Sequence, residues 1–366
     1  MPAVSQTWTV ATRRRTNSRV TIADVAREAG VNKGTVSRAL RGVSGVGDST
    51  RERILEAADR LNFSASHIAA ALATGQSQTI GIVLPTLKSW YFTEVASGAS
   101  EVLIPAGFRV ELINLDMHED YLDIASPNFR RLVSELGEGR GRDALLFAGN
   151  VADAERNNTT GTARVPVTAP GLPLTSVPGV FIDHRHGATL VADHLAALGH
   201  RRIAVLDGRL ADTGDTRLWH QRTEGIRDGL AAAGIELDDE LVIHPGDCRS
   251  EDGERGIEEL LSRGPLPSAI FCHSDEMAFG AIAALRRAGI RCPEDVSMVG
   301  FDDHPMARYV GLTTVTQHAH EQGARAAMSL LEALGDGARE ETVPPPALST
   351  LTVELVIRES TAAVRD

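Results

Sequence analysis

The sequence predicts an α/β chain: an N-terminal helix-turn-helix head followed by a two-lobed core of parallel, doubly wound sheets. Three observations carry that prediction. Residues 21–62 show helical periodicity in three short pieces, the first two joined through Gly30-Val31. From Thr79 onward apolar strands alternate with helical patterns, and a second alternation begins at Val180. Charge divides the chain at the same place. Residues 1–75 hold eleven Arg and Lys against six Asp and Glu, a net of +5, which leaves −17 on the rest of a chain whose total is −12. A basic head on an acidic body is the asymmetry expected when one small part meets phosphate.

Residues 1–19, with Arg13-Arg14-Arg15 in a Ser/Thr-rich setting, read as a disordered basic arm. In the head, residues 20–64, Thr21 caps a helix with Ile22, Val25, Ala26 and Ala29 on one face, and Gly30 stops it. Asn32 caps a second helix with Val36, Ala39 and Leu40 inward, ended by Gly42. Ser49-x-x-Glu52 has the spacing of a capping box, and the helix behind it carries Ile54, Leu55, Ala58 and Leu61. Residues 65–77 hold a very short helical pattern, Ile68, Ala69 and Leu72 along one side, and a Gly75-Gln76-Ser77 linker. A helix that short is marginal in water.

In the core, Ile80–Leu84 reads as a strand, Val95–Leu103 as a helix, Phe108–Leu115 as a strand, Leu132–Leu136 as a helix end and Ala144–Ala148 as a strand. Residues 150–179 are loops around one weak strand, Val165–Thr168. The second array runs Val180–Ile182, Ala188–Leu198, Ile203–Leu206, Arg222–Ala233, Leu241–Ile243, Gly256–Leu261, Ala269–Cys272, Met277–Ala288 and Ser297–Phe301, strand and helix in turn. A helix at Gln322–Leu334 and a strand at Thr352–Ile357 complete it.

Composition narrows the class. With 366 residues and 42% hydrophobic side chains, the chain has room for two or three packed domains. Three cysteines, Cys248, Cys272 and Cys292, without a CxxC pair, form neither a disulfide framework nor a zinc ribbon. No apolar run reaches membrane-spanning length, and the first residues lack the apolar stretch of a signal peptide. A cytoplasmic protein is expected.

The second helix of the head would present Lys33, Gly34, Thr35, Ser37 and Arg38 outward while Val36 and Leu40 hold it down. That is how a recognition helix meets base edges in the major groove. Arg38 can take guanine O6 and N7 together; Lys33 can do so less selectively, or bind phosphate. Thr21, Asn32, Thr35 and Ser37 have short side chains suited to phosphate oxygens, assisted by helix N-terminal amides. The alternative is a small helical bundle with solvated charges.

The run Val20 to Leu40, VTIADVAREAGVNKGTVSRAL, resembles the signature head of LacI/GalR transcriptional regulators, and Thr50-Arg-Glu-Arg-Ile54 through Leu61-Asn-Phe63 resembles that family's third helix. The resemblance implies sequence-specific binding of double-stranded operator DNA by a homodimer, most simply as a repressor. It makes the short helix after the head a hinge helix, with Leu72 as the minor-groove wedge and Ala69 as the small residue before it. Two departures stand out: Ala65 replaces a usual proline, and Gly34 puts no side chain at a usual base-reading position.

The resemblance continues through Ile80-Gly-Ile-Val-Leu-Pro85, His194-Leu-x-x-Leu-Gly-His-Arg-Arg-Ile203, Arg222-Thr-Glu-Gly225, Phe271-Cys-His-Ser-Asp-Glu-Met-Ala-Phe-Gly280, Val299-Gly-Phe-Asp-Asp303, Leu312-Thr-Thr-Val-Thr-Gln317 and Arg358-Glu-Ser-Thr361. It implies a core like the periplasmic sugar-binding proteins. One lobe would hold residues 78–183 and 317–345, the other 184–316 and 346–366, with crossovers near Asp183, Gln317 and Pro346. The effector, a sugar or related small polar metabolite, would lie between the lobes. By matching, Arg222, Ser274, Asp302 and Gln317 occupy effector-contact positions. The residues themselves support a polar site. Asp302 follows one strand and Ser274 and Asp275 another, where ligands of parallel α/β sheets sit. Tyr91 and Phe92, with Trp90, follow the first strand and suit the apolar face of a sugar ring, or pack partly in the core. Asp275 is read as a helix cap, and Asp303 bonds either backbone or ligand. Ser274 stands where Asn is common, Cys248 where some relatives stack an aromatic, and Ala169-Pro170-Gly171 lacks a usual acid.

Two other function classes fit the sequence less well. A solute-binding protein would not need the basic head. An enzyme would need a constellation the sequence lacks: there is no GxSxG, HExxH or GxxxxGK[ST]. The sequence points to no cofactor. His184-x-His186 and Asp302-Asp303-His304 resemble metal ligands on paper but lack companions, so no metal is expected.

Overall fold

The computed structural model describes residues 20–40, 45–61, 77–115, 135–136, 141–148, 165–171, 177–208, 217–246, 248–335 and 348–364. They fall into two compact units, residues 1–77 and 78–366. The basic arm and the hinge positions Ala69 and Leu72 lie outside the described residues, as does most of Leu132–Leu136.

Among the described residues the head holds three helices, α1 (Ile22–Glu28), α2 (Lys33–Leu40) and α3 (Asp48–Arg60). Thr21 starts α1 through Asp24, whose carboxylate accepts the Thr21 backbone N–H at 2.9 Å and its hydroxyl at 2.7 Å. Gly30 then takes a left-handed turn, φ 64°, that an ordinary side chain disfavours. Asn32 starts α2, its Oδ1 accepting from the Thr35 amide at 2.7 Å. Val25, Val36, Ile54 and Ala57 are fully buried between the helices. Each of the larger three contributes roughly 1.5–3 kcal/mol. Arg51 donates to the Ala39 carbonyl at 3.2 Å and Arg53 to Ala29 at 3.1 Å, so α3 caps the open ends of both other helices.

Two expectations for α3 fail. Gly47, extended, is its N-cap, so Ser49 sits inside the first turn and the Ser49–Glu52 capping box does not form. Leu55 is 47% exposed, because Ile54, Ala57 and Ala58 define the inward face.

The core carries β1 (Thr79–Leu84), α4 (Trp90–Leu103), β2 (Arg109–Asn114), β3 (Ala144–Phe147), β4 (Val167–Thr168) and β5 (Gly179–Ile182). Then follow α5 (His184–Ala197), β6 (Ile203–Leu206), α6 (Arg217–Ala232), β7 (Val242–Ile243), α7 (Ser250–Arg263), β8 (Ala269–Cys272) and α8 (Asp275–Arg287). The last are β9 (Ser297–Asp302), α9 (Ala307–Val310), β10 (Thr313–Thr316), α10 (Ala319–Gly335), β11 (Leu348–Leu351) and β12 (Glu354–Val356).

The first sheet has the order β2-β1-β3-β4, all parallel. Gly171, just past β4, bridges to Phe181 of β5, and β5 pairs with β11, which extends the same layer. The second sheet has the order β12-β10-β9-β8-β6-β7, parallel except for β12. Both lobes therefore wind outward from their first strand, reversing direction between the first and third. Ligands of open parallel sheets sit at that reversal, beyond the strand C-termini.

The chain passes between lobes at Asp183, at Gln317-His318 and at Thr352-Val353. The third crossover corrects an expectation: Pro346 lies too early, because β11 still pairs with β5 of the first lobe, Ser349 against Val180. Only β12 belongs to the second lobe, where Val315 pairs with Leu355. α4 and α10 cross closely in the first lobe. A Cβ on Gly98 would collide with the His320 carbonyl, and one on Gly323 with the Val95 carbonyl. That contact sets Tyr91, on α4, against Gln322, on α10. No helix among the described residues is long and apolar enough to cross a membrane.

Candidate nucleic-acid interface and ligand cleft

Among the residues expected to meet DNA, Thr21, Asn32, Lys33, Gly34 and Arg38 are exposed and Thr35 and Ser37 half-buried, while Val36 beneath them is fully buried. α2 has no acid in its first turn, so its N-terminal amides and Lys33 face outward without a competing carboxylate of their own helix. The nearby acids of α1 are engaged elsewhere: Asp24 pairs with Arg27 at 2.8 Å and Glu28 with Arg60 at 3.5 Å. Gly34 has a local reason. A Cβ there would lie 3.3 Å from the Asn32 Oδ1 that caps the helix.

The cleft is built on Arg222, which α6 buries in the second lobe. Its Nε donates to His184 Nδ1 at 3.2 Å, its Nη1 donates to the His273 carbonyl, and its guanidinium lies 3.7 Å over the Phe301 ring. Burial, then the Arg222 charge, hold His184 well below the ordinary histidine range. Since Nδ1 accepts from arginine, the neutral ring carries its proton on Nε2. Asp302 ends β9 with φ 145°, a backbone form that side chains rarely adopt. Its Oδ1 accepts from Gln317 Nε2. Gln322 Nε2 donates to the Gln317 carbonyl at 2.6 Å, and the Tyr91 hydroxyl donates to Gln322 Oε1 at 3.0 Å. One hydrogen-bonded chain thus runs from the first lobe to Asp302 of the second. Burial raises Asp302 well above the ordinary carboxylate range, Asp275 reinforces the shift and Arg222 opposes it.

Two matches bear on this geometry. Residues 21–66 match the family model of bacterial regulatory proteins, lacI family, and residues 192–361 that of a periplasmic binding protein-like domain. The catabolite control protein A of Priestia megaterium is 30% identical over 316 residues, 85% of this chain and 91% of its own length. The chain belongs to the LacI family. Like other LacI-family members it is a DNA-binding transcriptional regulator with a periplasmic-binding-protein-like core. Solved relatives agree across nearly the whole chain. The lac repressor dimer bound to operator and the anti-inducer ONPF is 27% identical with a TM-score of 0.77, covering 94% of this chain and 100% of that one. The transcriptional regulator CelR in complex with cellobiose is 28% identical with a TM-score of 0.65, covering 93% and 100%.

Within this LacI-family cleft, Arg222, Asp302, Gln317 and Tyr91 come together. Ser274 and Phe92 are occupied differently. The Ser274 hydroxyl donates to the Cys248 carbonyl at 2.8 Å and accepts from the Met277 amide at 3.1 Å, so it is the cap of α8. Asp275, read from sequence as that cap, instead ties two strands' ends together, accepting from the Thr314 hydroxyl at 2.6 Å and the His304 amide at 2.8 Å. Phe92 packs edge-on to Tyr91 and against the hydrophobic core. Trp90 contacts His304 of the other lobe, ring centroids 4.8 Å apart. Asp303 pairs with Arg358 at 2.6 Å.

The sequence marks His184 only as a metal ligand on paper, and does not mark Gln322 or a buried group behind Arg222. There Asp207 lies 3.2 Å from His273 Nδ1 and accepts from the Thr223 hydroxyl at 3.0 Å. On paper this resembles a catalytic triad, but the threonine proton goes to Asp207 and all three side chains are buried. The group positions the His273 carbonyl that holds Arg222. Asp207 and His273 follow β6 and β8, so strand ends at the sheet reversal were the available signal. Among the described residues no three potential ligands converge on a metal position.

Proposed function

We propose that this chain is a ligand-responsive repressor. A homodimer sets two copies of α2 in adjacent major-groove half-sites, and a sugar or related small polar metabolite in the core cleft changes operator affinity. The observation that carries the reading is the buried Arg222–Asp302–Gln317 group, with Asp302 and Gln317 at the C-terminal ends of β9 and β10, in a chain that also carries an exposed basic α2. Arg222 would donate to ligand oxygens, and Asp302 would accept from neighbouring hydroxyls, as suits a polyol. Tyr91 would cover the ring. Ser274 acts through α8, and Phe92 through Tyr91. At the DNA, Arg38 and Lys33 reach base edges or phosphate, and Thr21, Asn32, Thr35 and Ser37 reach phosphates beside them. Gly34 lets the backbone come close. Ala69 and Leu72 belong to the hinge and the minor groove. The CelR–cellobiose relative supports a carbohydrate.

The dimer reading is supported by an apolar edge of the second lobe: Met306, Tyr309 and Val310 around α9, with Tyr309 68% exposed. Arg358, bonded to the Leu312 carbonyl at 2.7 Å, brings exposed Ile357 to the same edge. The test is operator binding by the full chain across a panel of mono- and disaccharides, including cellobiose, and nucleosides. One class should shift operator affinity by 5- to 150-fold, the usual range of coupling between two sites. Operator binding indifferent to every class would remove the effector half of the proposal.

A further inference from the structure

We propose that Trp90 and Glu276 form a clasp across the cleft that holds the two lobes closed in the ligand-free chain. It rests on the effector reading only for what passes through the cleft; the clasp itself needs no ligand. α4 begins without help of its own. Ser89 at its N-cap makes no side-chain capping hydrogen bond, and the first turn has no acid. The leading amides of a 14-residue helix are the positive end of its dipole and need an acceptor. α8 is in the opposite condition: Ser274 caps it, and both Asp275 and Glu276 lie in its first turn. Glu276 reaches across, and its Oε2 accepts the Trp90 backbone N–H at 3.2 Å. One carboxylate therefore serves the starts of two helices, one from each lobe. Without it, the start of α4 would have neither a capping side chain nor an acid of its own.

The indole makes the second contact. Trp90 packs on the His304 ring in a socket the second lobe has already built. Phe279 meets the same ring edge-on, centroids 5.4 Å apart. The His304 amide donates to Asp275 Oδ2 at 2.8 Å, and its Nδ1 accepts from the Met306 amide at 2.9 Å. Asp275 also lies close enough to raise the Asp302 carboxyl, so the socket shares a residue with the cleft floor. Opening the lobes must break both contacts, and an occupant at Asp302 acts next to one of them.

Hydrogen exchange followed by mass spectrometry on the full, ligand-free chain tests this. Glu276→Gln and Trp90→Ala should each speed exchange tenfold or more in three segments: the first turn of α4, residues 302–306 and residues 317–322. Trp90→Phe, which keeps a ring in the socket, should stay near wild type. Acceleration confined to the first turn of α4 would make Glu276 a local cap and overturn the clasp, as would wild-type exchange throughout. Protection of β8 reports folding; if Trp90→Ala does not fold, Glu276→Gln decides. Effector response is read separately at the operator, so either proposal can fail while the other stands.

Discussion

Asp302 and Asp275 show how two neighbouring carboxylates take different work. Asp302 faces the cleft, bonded to Gln317; Asp275 faces the strand ends, bonded to Thr314 and His304. Asp302→Ala should abolish the effector response while leaving operator affinity within about twofold, measured by operator titration with and without effector. Asp275 yields a pH prediction. Burial pushes its pKa up to about 7, so the folded chain holds a proton that the unfolded chain releases near 3.8. Its contribution is therefore full below about pH 4 and is lost as pH rises through about 7. Relative to wild type, Asp275→Asn should gain roughly 2–4 kcal/mol of unfolding free energy between pH 4 and pH 8. Denaturant titrations at both pH values check it; a difference independent of pH would contradict the assignment. At this scale the sequence was partly legible. Arg222, Asp302 and Gln317 carry family spacing, but His184 and Gln322 are ordinary helix residues until the fold turns them toward Arg222 and Tyr91.

The helices and strands were more legible than their ends. Gly30 and Asn32 bracket the turn between α1 and α2 with distinct backbone chemistry, and both act as their residue types predict. α4 begins at Trp90 rather than Val95, because the aromatic trio forms its first turn and leaves no periodicity to read. β11 escaped notice for a similar reason: four residues after a Pro-rich stretch give little pattern, and only pairing with β5 makes them a strand. That omission displaced the third crossover. On α2, two side chains differ in what they would read. Arg38→Ala should cost about 1–3 kcal/mol on the preferred operator and relax discrimination at one base pair. Lys33→Ala, if it meets phosphate, should weaken all sequences alike and reduce the salt slope by about 1. Salt-dependent titrations on operator and scrambled duplexes distinguish these outcomes.

The molecule as a whole joins a basic head to an acidic body, and the charge split of +5 against −17 made that division visible before any fold was drawn. What the sequence hid was contact between distant segments: Tyr91 with Gln322, Trp90 with Glu276, and the apolar edge at α9. That edge gives a prediction at this scale. Val310→Glu with Tyr309→Glu should shift the chain from dimer toward monomer in analytical ultracentrifugation and weaken operator binding at least tenfold, since two heads on one duplex bind as a linked pair. A dimer unchanged by both substitutions would place the interface elsewhere.

The most direct test of the central claim is a mobility shift of the purified full-length chain on DNA upstream of its own gene and its neighbours, with excess competitor DNA at physiological salt. The expected result is a discrete, competitor-resistant complex that Arg38→Ala weakens. Complexes that competitor removes at every fragment, together with no enriched site in a genome-wide binding selection, would contradict it.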